Sequence, residues 1–319
     1  MSNTDDAKNR PADAGRRDAL KCMGWAGAGV LWTLAGGVPR GALIGSAEAA
    51  KMPAGGLHFV QISDTHFGFA KDANPDVAGT AREAVAKINA LPVRPELVLH
   101  TGDVTHLSKP TEFDQAEQVF ADLKAGPIHF TPGEHDVLDD NPGALFHQRL
   151  GKGATAGGWY SFDQGGMHFI ALVNVLDFKA GGLGQLGASQ LEWLERDLKG
   201  VTASTPVVVF AHIPLWTIYP QWGWGTSDAA EALSYLRRFG SVTVLNGHIH
   251  QVIQKVEGNI SFHSAMSTAY PQPAPGEAPS PGPMKVPADR LRQVLGVRTV
   301  EFVPGGTPPA LADQILANS

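Results

Sequence analysis

LHFVQISDTH, residues 57–66, is an apolar run that ends in a carboxylate and an imidazole. The β-prone residues 57–62 predict a buried strand, and Asp64 and His66 follow it directly. The same arrangement recurs after later apolar runs, at Gly102-Asp103-Val104-Thr105-His106, Gly133-Glu134-His135-Asp136, Ala211-His212-Ile213-Pro214 and Gly247-His248-Ile249-His250. Together, in this order, the five clusters predict a site for two metal ions at the ends of several strands.

Strands and helices alternate in the first half of the chain. We predict strands at 57–62, 96–100 and 127–131, separated by helices at 78–90 and 111–125. This succession implies parallel strands with right-handed crossovers, and ligands collect beyond the carboxyl ends of such strands. The second half is richer in strands, at 159–163, 167–173, 206–211, 242–245 and a last hairpin of 251–256 and 259–263, with helices at 188–198 and 229–239. Ligands from both halves predict two packed sheets that share the site along one edge.

Residues 1–50 are predicted to be a signal peptide, and residues 51–319 one domain. The pair Arg16-Arg17 precedes an uncharged stretch rich in Gly and Ala at 23–38, and Ala47-Glu48-Ala49 fits a cleavage site. The apolar stretch is shorter than the ~20 residues of a spanning helix, which argues against a stable membrane anchor. We therefore expect the twin-arginine machinery to export a periplasmic or secreted protein.

The composition limits the partners and the metal ligands. The chain carries 25 basic and 31 acidic residues, a net charge of −6, which argues against binding a nucleic-acid polymer. Its only cysteine, Cys22, lies in the predicted leader. Metals must then be held by His, Asp, Glu or Asn, and the expected partner is a small molecule.

Two segments beside the clusters have open roles. Residues 271–287 contain seven prolines and predict an extended loop, either a lid over a pocket or a surface loop. Residues 215–225 contain three Trp and one Tyr. They predict either a wall that contacts bases or lipid, or aromatic packing that fixes a long loop.

The spacing within the clusters suggests how ligands converge. In extended backbone, residues i and i+2 point to the same side, so Asp64 and His66 are expected to bind one ion, and His248 and His250 could converge likewise. Asp103, at a strand end, could bridge two cations. Oxygen and imidazole ligands suit Mn, Fe, Zn or Co. Two such ions about 3.5–4 Å apart can activate a bridging hydroxide and clamp a phosphoryl group, with His135 near the leaving group.

The ordered clusters resemble the calcineurin-like metallophosphoesterases, whose pattern is D-x-H, G-D-x-x-(D/H), G-N-H-(D/E), H and G-H-x-H. Lys109-Pro110 and His212-Ile213-Pro214 look most like the class III cyclic-nucleotide and glycerophosphodiester phosphodiesterases. The resemblance implies an α/β fold of the metallo-dependent phosphatase type, a four-layer α-β-β-α sandwich with two mixed sheets. It implies His135 as the catalytic histidine and two divalent or trivalent metal ions. The implied ligands are Asp64, His66, Asp103 and His250 for the first ion, and Asp103, Glu134, His212 and His248 for the second.

Two residues depart from the family pattern. Glu134 stands where the family has Asn, and its extra negative charge should hold metal more tightly while weakening the attraction for phosphate. Glu134 could also bind in another mode or shift the metal preference. His106 stands where many relatives have an acidic residue that orients the catalytic histidine. Either Asp136 takes over that role, or His106 is itself catalytic.

Three alternative functions are compatible with the predicted metal site. The first is a binuclear hydrolase of phosphoesters. Diesters are favoured because few Lys or Arg lie near the clusters, the nearest being Lys71 and Lys109. A phosphomonoesterase is the alternative within enzymes. A weakly catalytic metal-binding domain, suggested by Glu134, predicts that Glu134→Asn would create activity. The other histidines are expected to be structural (His58, His100, His129, His168), solvated (His147) or undecided (His263).

Overall fold

The computed structural model describes residues 29–35, 38–44, 56–179, 181–305 and 308–317. The arginine pair, Cys22 and the cleavage site of the predicted leader lie outside these residues. In the chain between Cys22 and the cleavage site, β1 (Gly29–Ala35) and β2 (Val38–Ile44) form an antiparallel pair. Within the described ranges, every helix is too short or too polar to cross a bilayer.

The remaining elements form two sheets and the helices that cover them. In chain order they are β3 (Leu57–Ile62), α1 (Val77–Asn89), β4 (Leu97–His100), α2 (Pro110–Phe120), β5 (Ile128–Phe130), α3 (Ala144–Arg149), β6 (Tyr160–Gln164), β7 (Met167–Ala171), α4 (Ala188–Lys199), β8 (Val207–Ala211), α5 (Ala229–Leu236), β9 (Val242–Asn246), β10 (Gln254–Glu257), β11 (Ile260–Ser264), α6 (Leu291–Val294), β12 (Gly296–Phe302) and β13 (Ala310–Ile315). Single turns of 3-10 helix lie at Glu134–Asp136 and Pro220–Trp222.

Both sheets mix parallel and antiparallel strands. The first has the order β13-β12-β3-β4-β5, in which β3, β4 and β5 are parallel, as the alternating pattern predicts. The second has the order β10-β11-β9-β8-β7-β6, in which β7, β8 and β9 are parallel. The carboxyl ends of these parallel strands are therefore available in both sheets to carry ligands.

The four-layer sandwich is confirmed by three apolar layers. Phe59 and Leu99 of the first sheet pack against Phe169 and Phe210 of the second, between the sheets. The outer face of the first sheet packs on α1 and α2, and that of the second on α4 and α5. Burial of each large apolar side chain stabilises the fold by roughly 1.5–3 kcal/mol, so the sheets form a firm support for the loops at their edge.

The expectation that 251–256 and 259–263 form the last hairpin is wrong. They pair as β10 and β11, but β12 and β13 follow and extend the first sheet, with β12 antiparallel to β3. A buried arginine obscures the pattern of β12, because Arg298 is fully buried and bonds to Asp313 and to the carbonyl oxygen of Ser264. Residues 271–287 contain neither helix nor strand, as their prolines predict.

Candidate metal centre

The five clusters meet at one edge of the sandwich. The ligand atoms of Asp64, His66 and His250 lie within 4.8 Å of one another, and we term these residues the first ligand group. Those of Glu134, His212 and His248 do the same, and we term them the second ligand group. Asp103 lies between the groups, with Oδ2 at 3.5 Å from His66 Nε2 and 3.3 Å from His212 Nε2. Asp103 can therefore contribute a ligand oxygen to either group.

The ligand atoms are buried and poorly satisfied by the protein itself. Asp64 Oδ2, Glu134 Oε2 and His212 Nε2 are inaccessible and complete no hydrogen bond with another described residue. The Nε2 of His212 comes within 2.9 Å of Glu134 Oε2, yet without the alignment of a hydrogen bond. Burying polar atoms without partners is costly. Cations bound between these atoms would satisfy them, so the residues fit a metal centre.

The outer nitrogens of two histidines settle which ring atom can bind metal. His212 Nδ1 lies 2.7 Å from the carbonyl oxygen of Thr101, and His250 Nδ1 lies 2.5 Å from that of Tyr270. A carbonyl oxygen only accepts, so each Nδ1 donates its proton, and Nε2 is the nitrogen left to bind a metal ion. Both Nε2 atoms point toward the carboxylates of the site. Metal-binding histidines in proteins are commonly held in this way.

The charges at the second ligand group favour a cation. Burial lowers the pKa of His212, but the carboxylates of Asp103 and Glu134 outweigh it and hold that pKa well above its ordinary value. Burial raises the pKa of Glu134, but His248 and His212 outweigh it and hold that pKa well below its ordinary value. The raised pKa of His212 shows that the carboxylates favour positive charge between them, and the lowered pKa of Glu134 shows that its carboxylate stays negative.

The backbone at the ligands is left-handed, not extended. Asp64, His66, Asp103, His248 and His250 all have positive φ, between 43° and 70°. The argument from alternate residues of a strand is therefore wrong, because the chain leaves the strand conformation before the ligands begin. Asp64 and His66 still converge, but His248 and His250 diverge into different groups, as the family resemblance implied.

Two glycines of the motifs are required by close contacts with ligands. Gly102 has φ of 92°, and a Cβ there would collide with the His212 ring. A Cβ at Gly247 would collide with Ser63 and with Oδ2 of Asp64. The glycines therefore let the two sheets bring their loops together at the centre.

Glu134 occupies the position that the family Asn was expected to hold. Its Oε1 lies 3.0 Å from His248 Nδ1, and its Oε2 lies 2.9 Å from His212 Nε2. The carboxylate thus spans the two histidines of its own group. It adds a full negative charge beside Asp103.

His135 lies beside the centre and is held by the loop of His106. Its Nδ1 donates a 2.7 Å hydrogen bond to the His106 carbonyl oxygen, and its main-chain N–H donates to Asp103 Oδ1 at 2.9 Å. The His106 ring stacks on His135, with 4.7 Å between centroids, and its Nδ1 lies 3.4 Å from His66 Nδ1. His106 is therefore an outer partner of a ligand, and burial and the nearby His135 lower its pKa to about 4.

Asp136 does not orient the His135 ring. Its carboxylate is fully buried and accepts hydrogen bonds from the N–H groups of Gly133, Val104 and Thr105 and from the Thr105 hydroxyl. Burial and the charge of Asp103 raise its pKa to about 6. Asp136 thus fixes the two loops that carry Asp103 and His135, and the orienting atom of the ring is the His106 carbonyl oxygen.

Glu112 and Ser108 support the centre and were missed from the sequence. The Glu112 carboxylate accepts hydrogen bonds from the N–H groups of His106 and Leu107, at 3.2 and 2.7 Å. Ser108 donates its hydroxyl to the His135 carbonyl oxygen at 2.9 Å. A glutamate three residues after Lys109, at a helix start, is a capping signal that could have identified Glu112.

A cavity of about 560 Å³ opens over the ligands. Trp222 and Trp224 of the aromatic segment and residues 281–283 of the Pro-rich segment line it, so both segments flank the site. Tyr270 and Gln272 also line it and were not predicted. Apart from the two ligand groups, Asp103 and the histidine pair His106 and His135, its only charged lining residue among those described is Lys71.

The other histidines have structural surroundings. His168 lies between Asp163 and Asp197, at 2.8 and 2.9 Å, and His129 stacks on Phe162. Neither they nor His58, His100, His147 and His263 belong to a ligand group or line the cavity, within the part of the chain that the structure describes. His263 lies near Arg298 instead. Its burial, and to a smaller extent the charge of Arg298, lower the pKa of His263 to about 3.

The chain belongs to the calcineurin-like phosphoesterase family, whose model matches residues 57–252. This family and its relatives make the protein a hydrolase with a metal-dependent type of site. A 3′,5′-cyclic-nucleotide phosphodiesterase of Nostoc sp. is 25% identical over 67% of this chain and 79% of its own length. A serine/threonine-protein phosphatase of Danio rerio is 25% identical over 62% of this chain and 71% of its own.

Solved structures share the fold. A dimetal phosphatase from Danio rerio aligns with a TM-score of 0.61 at 16% identity, over 82% of this chain and 97% of its own. A purple acid phosphatase from yellow lupin aligns with a TM-score of 0.56 at 13% identity, over 79% of this chain and 50% of its own. At these identities the likeness concerns the fold alone.

Proposed function

We propose that this chain is a phosphodiesterase that holds two metal ions, one in each ligand group, with Asp103 shared between them. The observation that carries the proposal is the charge around the cavity. Three carboxylates, Asp64, Asp103 and Glu134, offset most of the charge of two divalent ions. Lys71 is the one further cation lining the cavity in the described chain. Such a site suits the single charge of a diester better than the double charge of a monoester.

The residues of the chain divide the work of hydrolysis. Two bound cations would lower the pKa of a water molecule and offset the charge that develops on the phosphoryl group. The Nε2 of His135 donates a proton to the departing alcohol, because Nδ1 is fixed on the His106 carbonyl oxygen. Asp136 and Glu112 keep the loops of Asp103 and His106 in register, so that the acid stands next to the metal ligands.

A phosphomonoesterase is the second candidate. The serine/threonine-protein phosphatase of Danio rerio among the relatives favours it. The cyclic-nucleotide phosphodiesterase of Nostoc and a probable one of Rhodococcus erythropolis, 27% identical over 71% of this chain, favour diesters. The relatives thus include enzymes for both kinds of substrate, whereas the charge of the cavity favours diesters.

We further propose that the protein acts outside the cytoplasm, exported by the twin-arginine machinery. The pair Arg16-Arg17, the uncharged stretch after it and the cleavage pattern at 47–49 support this. Replacing both arginines by lysine should retain the protein in the cytoplasm. Unchanged export of that variant would contradict the route.

Metal content measured with turnover tests the proposed function. The protein lacking residues 1–50 should bind about two metal ions per chain and hydrolyse bis-p-nitrophenyl phosphate faster than p-nitrophenyl phosphate with added Mn, Fe, Zn or Co. Asp103→Asn should lower both metal content and turnover, whereas His129→Asn, remote from the cavity, should change neither. Faster monoester turnover would support the second candidate. Bound metal without turnover of either compound would contradict both.

A further inference from the structure

One side of the cavity is a fixed aromatic wall that begins at the metal ligands. Ile249, between the ligands His248 and His250, packs in one cluster with Trp222 and Trp224. Trp222 meets Trp224 edge to face, with 5.1 Å between ring centroids. Phe178, from the loop after β7, lies edge-on to the His248 ring at 6.3 Å. The wall therefore extends away from the second ligand group.

The loop that carries the two tryptophans is held in a single shape. The N–H of Ile218 donates to the Trp224 carbonyl oxygen at 2.8 Å, which closes the segment on itself. Gly223 between the tryptophans has φ of 74°, and a Cβ there would collide with the Gly182 carbonyl oxygen. The segment 218–224 is thus pinned against the segment that carries Phe178. A preformed apolar surface loses little entropy when a ligand binds to it.

The Pro-rich segment, residues 271–287, forms a further part of the wall. Ala278 packs against the tryptophan cluster, and residues 281–283 line the cavity. Gln272 donates Nε2 to the His248 carbonyl oxygen at 2.9 Å, while its Oε1 is buried and has no hydrogen-bond partner among the described residues. This neutral acceptor disfavours a second anionic group. Beyond the metal centre this side of the cavity is therefore uncharged, with Gln272 as its polar group.

From these contacts we infer that the cavity contains a subsite for a flat, uncharged aromatic group on the phosphodiester, namely the ester group that stays on phosphorus. This inference rests on the proposed function and adds the substrate class to it. The group lies against Trp222 and Phe178 while the phosphoryl group meets the metal ligands, and the fully buried Trp224 supports Trp222 from behind. A cavity of about 560 Å³ has the size of sites that enclose small organic ligands.

Two substrates with one leaving group test the subsite. Phenyl p-nitrophenyl phosphate and methyl p-nitrophenyl phosphate are both singly charged diesters. In each, the oxygen of water forms a bond to phosphorus, the bond to p-nitrophenolate breaks, and the phenyl or methyl ester stays on the product. Since p-nitrophenolate is the better leaving group in both, their kcat/KM ratio reports the retained group. We expect the metal-loaded protein to prefer the phenyl ester by about 10-fold or more.

Variants of the wall decide whether it causes the preference. Trp222→Leu and Phe178→Leu should each lower the phenyl-to-methyl ratio at least about 3-fold, because an aromatic contact is lost. Phe178 is partly exposed, so its variant remains informative if Trp222→Leu fails to fold. The matched control is Trp216→Leu, since Trp216 precedes the same loop but packs on Phe262, outside the cavity.

The outcomes separate the subsite from the proposed function. A ratio near one in the unaltered protein, or a ratio that neither Trp222→Leu nor Phe178→Leu lowers, overturns the subsite and leaves the phosphodiesterase intact. A ratio that Trp216→Leu lowers as much as the wall variants also overturns it. If the metal-loaded protein hydrolyses neither diester, the proposed function fails and the subsite falls with it.

Discussion

The Nδ1–H of His135 donates a hydrogen bond of 2.7 Å to the main-chain carbonyl oxygen of His106. Because a carbonyl oxygen only accepts, this bond leaves Nε2 as the nitrogen that exchanges a proton with a substrate. Burial lowers the pKa of His135, but the carboxylates of Asp103 and Glu134 outweigh it and raise that pKa above its ordinary value. The ring is thus arranged as an acid.

His135→Ala should affect poor leaving groups most. General acids typically contribute 10²–10⁴-fold, and they matter least when the leaving group is stable without a proton. We expect kcat to fall by roughly 10³-fold for diesters of alkyl alcohols and much less for p-nitrophenyl esters. A series of aryl and alkyl leaving groups measures this dependence. An equal loss across the series would show that His135 does not protonate the alcohol.

Glu112→Gln tests the loop that holds His135. Glu112 accepts hydrogen bonds from His106 and Leu107, so losing its charge should loosen the loop and displace the His135 ring. We expect a roughly 10-fold loss of kcat for alkyl esters with a smaller loss for p-nitrophenyl esters, the pattern of His135→Ala in a weaker form.

The control for Glu112 is Glu117→Gln on the same helix. The carboxylate of Glu117 is partly exposed and accepts its side-chain hydrogen bonds from Arg149, whereas that of Glu112 accepts from the loop of His106. Glu117→Gln should leave the dependence on the leaving group unchanged. If Glu112→Gln lowers kcat equally for all substrates, Glu112 contributes to stability alone and does not position His135.

Glu134→Asn should change the preference between diesters and monoesters. The substitution removes one negative charge beside the phosphoryl site, and a unit charge at 4 Å in a protein interacts by on the order of several kcal/mol. We expect the ratio of diester to monoester kcat/KM to fall by about 10-fold or more, together with weaker metal binding. Measuring the diester-to-monoester ratio at saturating metal, in the variant and in the unaltered protein, separates the change in preference from the weaker metal binding.

Glu134→Gln is the matched variant, since it removes the charge and keeps the length of the side chain. Both variants should shift the preference in the same direction if charge is the cause. The alternative of a weakly catalytic metal-binding domain predicts that Glu134→Asn creates activity in an inactive protein. Loss of existing diester turnover in this variant would instead exclude that alternative.

His168→Gln should destabilise the protein more at low pH than at high pH. Burial lowers the pKa of His168, but hydrogen bonds with Asp197 and Asp163 outweigh it and raise that pKa. A raised pKa means that the stabilisation is complete below the unfolded pKa of about 6.5 and is lost as pH rises through the folded pKa. We expect a cost of about 1 kcal/mol at pH 5.5, measured by denaturant unfolding.

His129→Gln is the comparison for that experiment. His129 is partly buried and stacks on Phe162, and burial lowers its pKa to about 4, so it is neutral across the same pH range. Its substitution should cost a similar amount at pH 5.5 and pH 9. A cost for His168→Gln that stays equal at both values would mean that the ion pairs contribute nothing measurable.

Much of the fold follows from local patterns, because apolar periodicity and crossover rules act over short distances. The β3-α1-β4-α2-β5 unit and the positions of the clusters at strand ends follow in this way. The β12–β13 hairpin does not, since Arg298 is buried through partners at Asp313 and Ser264 that only the folded chain brings near. An arginine in a short strand pattern gives no sign of such burial.

The site shows the same division. The residue types of the clusters indicate metal ligands, but their assignment to two groups depends on left-handed backbone at His248 and His250. Residue spacing alone suggested that these two would converge. Likewise Asp136 is acidic and adjacent to His135, yet its oxygens are occupied by backbone N–H groups of other loops.

The positive φ angles at five ligands have a consequence for how such a protein can change. A left-handed conformation costs a non-glycine residue about 1 kcal/mol or more, and glycine very little. At Asp64, His66, Asp103, His248 and His250 the fold by itself would therefore prefer glycine. Selection for stability alone would therefore replace these residues first. The aspartates and histidines at these positions are explained by metal binding and not by the stability of the fold.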